Sequence, residues 1–177
     1  MWADAESAGE PGVTAVFSGD RRYRYWLTRD LAGDLFQPDT APANCAFVML
    51  NPSTADEERD DPTIRRCLHF AQTLGAAQLV VANLYGYRAT DPRHLWQVDD
   101  PVGPDNLDYL RRALDATHVV VAWGGHARAE EVERFLQVAE NTALWCLGTT
   151  REGAPRHPLY VANAVELQRW PTTSGGL

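Results

Sequence analysis

The chain has 177 residues, 45% of them hydrophobic and 23% charged, with a formal net charge of -8. That length suits one ordinary domain, and no stretch approaches the roughly 20 consecutive apolar residues of a membrane helix. All 16 basic residues are arginine, which excludes Schiff-base lysine chemistry and a lysine phosphate loop, and the acidic balance repels long polyanions.

Residues 1–12 are small and acidic and end in Pro11-Gly12, and residues 171–177 (PTTSGGL) have an equally loose composition. Both read as flexible tails around a single domain over residues 13–170. The N-terminus lacks the basic start and continuous apolar stretch of a secretory signal, so a cytoplasmic protein is expected, with no membrane contact, and a monomer.

Thr14 to Arg29 runs from an apolar segment through Ser18-Gly19-Asp20 to the alternating Tyr23, Tyr25 and Leu27, which predicts a β-hairpin ahead of the main sheet. Cys45 to Leu50, Gln78 to Leu84, His118 to Trp123 and Ala143 to Leu147 are apolar without alternation, as parallel strands covered on both faces are. Between the first two, Asp61 is an N-cap with Pro62 at the first helical position, and Ile64, Cys67, Leu68 and Ala71 follow at helical spacing up to Gly75. Asp105 to Ala116 and Ala127 to Ala139 carry the other amphipathic helices. The fold class expected is α/β, a doubly wound three-layer sandwich with a mostly parallel sheet of about four strands after the hairpin.

Cys45, Cys67 and Cys146 are widely spaced in apolar surroundings and read as buried reduced thiols. The acidic run Ala55 to Asp61 reads as a solvated loop, because Arg59, Arg65 and Arg66 adjoin it and no histidine lies at ligand spacing. No metal and no cofactor are expected. Gly124-Gly125 opens a helix but lacks the full dinucleotide fingerprint.

In open α/β sheets ligands bind outside the carboxyl ends of the strands. The loops expected there carry Asn51-Pro52-Ser53-Thr54, Asn83-Leu84-Tyr85, Trp123 to His126, and His157-Pro158-Leu159-Tyr160. Arg65, Arg66, Arg88, Arg93, Arg151 and Arg156 flank these loops, either as phosphate contacts or as partners of neighbouring carboxylates.

The segments MLNPSTAD, DPTIRRC, NLYGYRATDP, DPVGPDN, VAWG and HPLY, in that order, resemble the bacterial domain family DUF1643 over roughly Tyr23 to Trp170. Their arrangement also resembles the uracil-DNA glycosylase superfamily, in which a first-strand Asn-Pro motif is followed by a strand-end asparagine and a late His-Pro-Ser. Met49 stands where the first motif has glycine, and Leu159 where the last has serine.

That resemblance implies an N-glycosylase that hydrolyses an N-glycosidic bond and releases a modified or damaged base from nucleic acid, DNA included. It makes Asn51 and His157 catalytic, one orienting water and the other donating a hydrogen bond to the departing base. Asn83 reads the base, Tyr85 stacks on it, and Pro52, Ser53 and Arg88 complete substrate binding. Asp56 and Asp61 are the carboxylates available as general base. Hydrolysis of a free nucleoside or nucleotide, and a non-catalytic nucleobase-binding module, are the alternatives left open.

Overall fold

A computed structural model describes residues 15–31 and 43–171; the expected tails, apart from Pro171, lie outside the described residues. The strands are β1 (Ala15–Phe17), β2 (Arg24–Asp30), β3 (Asn44–Met49), β4 (Gln78–Asn83), β5 (His118–Val121), β6 (Leu144–Cys146) and β7 (Gln168–Arg169). The helices are α1 (Pro62–Thr73), α2 (Asn106–Ala113) and α3 (Ala129–Val138). The described residues thus form a mixed α/β structure, and their seven strands make one sheet in the order β1-β2-β4-β3-β5-β6-β7.

The inner pairs β4 with β3, β3 with β5, and β5 with β6 are parallel. Their apolar runs are buried on both sides of the pleat. Cys45, Phe47, Met49, Leu79 and Val81 share one core with Ile64, Cys67, Phe70 and Ala71 of α1. Ala46, Val48, Val80 and Ala82 share the opposite core with Leu110 and Ala113 of α2 and Phe135 of α3. The period of two along each strand therefore assigns every second residue to α1.

The hairpin does not stand apart from the sheet. β2 pairs antiparallel with β4, Leu27 opposite Val81, because Trp26 and Leu27 point to opposite faces and both are buried, joining one core each. β7, for which no expectation was formed, closes the far edge antiparallel to β6. All three cysteines are free and buried, and burial pushes the Cys45 thiol up to about 12. No helix among the described residues is long and apolar enough to cross a membrane.

Candidate functional site

Running β3 into the loop after it keeps the alternation: Cys45, Phe47 and Met49 face α1, and Asn51 is next on that side. Along β4 the same side carries Leu79, Val81 and then Asn83, with Met49 paired to Asn83. At that level α1 has reached its N-terminus, so the sheet face beyond Val81 has no helix over it. A cavity of about 670 Å³ opens there, bounded by the strand ends, by the first turn of α1 and by the loop carrying His157. Its volume is that of a small-molecule site.

Asn83 has 1% of its surface exposed, lines the cavity, and has no hydrogen-bond partner for either Oδ1 or Nδ2. Burying an amide without partners is costly, so such groups mark places where something else completes them. The backbone around it is fully committed. Asn106, completely buried at the start of α2, donates from Nδ2 to the carbonyls of Asn83 and Leu84 at 2.9 and 3.0 Å. The side chain is free while the main chain is pinned from the opposite face.

Asn51 also lines the cavity, but its Nδ2 donates to the carbonyls of Pro52 and Ala89 at 3.0 and 2.7 Å. Ala89 N–H in turn donates to the Pro52 carbonyl at 2.9 Å, so the loops after β3 and β4 are tied together. Only Oδ1 of Asn51 is left to act, as an acceptor. Ser53 lines the cavity; Pro52 is buried and contributes its carbonyl to the tie.

His157 lines the cavity from the far side, and its Nδ1 accepts the Leu159 N–H at 3.3 Å. That bond places the ring proton on Nε2, which leaves Nε2–H as the donor. Burial lowers the imidazole pKa, opposed by the charge of Asp61, so the ring is neutral at pH 7. Arg66 of α1 holds this loop, donating to the carbonyls of Pro158 and Val161 at 3.2 and 2.6 Å and also bonding the Asn163 side chain.

Asp61 lines the cavity and caps α1 as its sequence position suggests, Oδ1 accepting the Ile64 N–H at 2.9 Å. Asp56 takes no part in the cavity lining. Its Oδ1 accepts the N–H groups of Glu58 and Arg59, and these bonds hold its carboxyl below the usual range.

Tyr85 is not brought to the site. It is 1% exposed in the core of α2 and α3, its hydroxyl accepting the Arg128 N–H at 3.1 Å and its ring edge-on to Trp96. Arg88 lies beside the cavity along a second depression of about 310 Å³ shared with Ser53 and Thr54. Its guanidinium rests over Phe17, 4.9 Å from the ring centre. Among the other flanking arginines, Arg93 pairs with Asp91 at 2.6 Å, and Arg156 lines the cavity at its exposed margin.

Two contributors were given no role by the sequence, Tyr160 in a loop expected at the site and Arg24 outside any such loop. Tyr160, 79% exposed, stands on the cavity margin with its ring 5.7 Å from that of His157. Arg24 lines the cavity from the start of β2 and is 2% exposed. Strict alternation puts Arg24 on the face of Trp26, away from the cavity, but the pairing of β1 with β2 bulges at Tyr25, with Val16 opposite Trp26 and Phe17 opposite Arg24, and this turns Arg24 to the side of Leu27.

The family model described as "Protein of unknown function (DUF1643)" matches residues 24–159. No curated protein and no solved structure matched the chain.

Proposed function

Because the chain belongs to the DUF1643 family, whose description carries no activity, we propose a function from the cleft itself: hydrolysis of the N-glycosidic bond of a nucleobase-bearing substrate. The observation that carries this reading is the buried, unbonded amide of Asn83 in a small-molecule-sized cavity. One amide with a donor and an acceptor side by side matches the mixed edge of a pyrimidine or similar ring, which would satisfy both atoms at once.

The remaining groups fit the same chemistry, with the sheet taken as doubly wound and the ligand at the strand ends. Water forms its bond to the anomeric carbon as the C–N bond breaks, and the electron pair leaves with the base. The Nε2–H of neutral His157 donates to a base oxygen as charge builds there, a contribution of about 3 to 4 kcal/mol for a preorganised donor. The free Oδ1 of Asn51 orients the water, and the Asp61 carboxylate accepts its proton and faces the cationic sugar. Tyr160, in place of Tyr85, is the exposed ring available for stacking.

The test is base release, followed by mass spectrometry, from free nucleosides and nucleotides and from single- and double-stranded DNA and RNA carrying modified bases. Wild type releases one base class, and Asn83→Leu and His157→Gln lose that release while remaining folded. Release that persists in both variants, or none from any substrate, overturns the reading.

A further inference from the structure

Arg24 presents an electrostatic problem that the reaction above leaves unsolved. Its guanidinium is buried, yet among the described residues it forms no ion pair. Nη1 donates to the Ala55 carbonyl at 2.7 Å, and Nε has no partner. One carbonyl is little return for removing a guanidinium with five N–H donors from water, since buried charges are otherwise paired. Asp61 and Asp56 attract it and Arg88 and Arg29 repel it, all through space. Asp61 is only partly available to it, because Oδ1 caps α1, where the helix N-terminus already favours negative charge. Burial lowers the Arg24 pKa to about 10, so the group stays cationic at neutral pH.

Arg24 and Asn83 line one cavity and lack partners in complementary ways, the first for an anion and the second for a neutral polar edge. From this we infer that Arg24 is an anion subsite of the cleft, receiving the phosphate monoester of a free nucleoside monophosphate whose base meets Asn83. The phosphate end rests on Arg24 alone; the base end rests on the reading of the cleft given above. A phosphate supplies oxygens in the plane of the guanidinium fork and a charge to compensate it.

A free nucleotide fits better than a nucleic-acid strand. A terminal phosphate can enter a cavity to reach a guanidinium that is 2% exposed, whereas a strand needs cations along a surface track. Some arginines near the cleft are already engaged: Arg21 pairs with Glu57, Arg29 with Asp60, and Arg66 is spent on loop carbonyls. The net charge of -8 opposes a polyanion as well.

The experiment is calorimetric binding to wild type, Arg24→Gln and Arg24→Lys. The probes are ribose 5-phosphate, a panel of nucleosides, their 5′-monophosphates, and single-stranded oligonucleotides of the same bases. The expected result is a monophosphate bound at least about tenfold tighter than its nucleoside. Arg24→Gln abolishes that difference, Arg24→Lys restores part of it, and the oligonucleotide gains nothing over the nucleoside. Nucleoside binding to which the phosphate adds nothing overturns the inference and leaves the base reading intact. Ribose 5-phosphate bound by wild type and lost in Arg24→Gln, with no contribution from any base, supports the anion subsite and overturns the base reading. Binding of none of the probes, or an oligonucleotide preferred over the monophosphate, overturns the inference. If Arg24→Gln does not fold, the nucleoside–monophosphate comparison in wild type and its competition by ribose 5-phosphate decide the matter.

Discussion

Replacing Asn83 by leucine should make the protein more stable while disabling it. Leucine branches at the same carbon as asparagine, so the substitution keeps the shape and exchanges the two unbonded amide atoms for methyl groups. An unsatisfied buried polar group costs roughly 1 to 3 kcal/mol, and water in the cleft recovers part of that for two adjacent atoms. The predicted net gain is about 1 to 2 kcal/mol, or a rise of about 2 to 8 °C in Tm for a domain of this size. Urea denaturation and scanning calorimetry, run beside a ligand-binding assay, measure both halves. A loss of about 1 kcal/mol or more would mean that the folded protein itself satisfies the amide. The central argument for a polar ligand in the cleft would then collapse.

Asp61→Asn keeps an oxygen to accept the Ile64 N–H and should change stability little, whereas Asp61→Ala loses the cap at about 1 kcal/mol; if the carboxylate takes the proton from water, both variants lose roughly 10² to 10⁴ in turnover, measured by base release. His157 has a folded pKa below its ordinary 6.5, so the unfolded chain takes up the proton first. Its contribution to stability is therefore full above about pH 6.5 and lost as pH falls, and urea midpoints should fall less steeply in His157→Gln than in wild type. Gly103 has φ +88, and a Cβ there would stand 2.7 Å from the Tyr23 ring, so Gly103→Ala should cost about 1 to 3 kcal/mol in denaturant titration. Arg66→Ala should release the loop from Pro158 to Asn163, seen as faster hydrogen exchange there with α1 still protected.

The inner strands were legible because burial on both faces requires continuous apolar runs, and the start of α1 was legible because Asp61 and Pro62 are local signals. The role of β2 was harder to see, since its partner β4 lies about fifty residues away in sequence and the hairpin turn is the nearer cue. Arg24 was missed because strict alternation sets it on the face of Trp26, and the bulge at Tyr25 that turns it toward the cavity has no local cue in the sequence. Tyr85 went the other way. Asn83 and Tyr85 are two residues apart, but the strand has ended between them, the alternation no longer holds, and the ring turns into the core under Trp96. Asn51, Asn83, Asp61 and His157 do line one cavity, because the sheet gathers the ends of β3 and β4 beside the first turn of α1.

The clamp made by Arg66 has a consequence for how the cleft responds to disturbance. The helix that grips the His157 loop through Arg66 is the helix whose first turn is capped by Asp61. Asp61 is thus a fixture of that helix, and His157 hangs between two anchors, Arg66 on the helix and, through the main chain of Pro155 and Arg156, the loops at the strand ends, while Asn51 and Asn83 are fixtures of the sheet. A shift of that helix carries Asp61 with it and pulls on the His157 loop at one anchor only. Drift of the helix among related sequences should then displace Asp61 from Asn51 and Asn83 sooner than it displaces His157 from them.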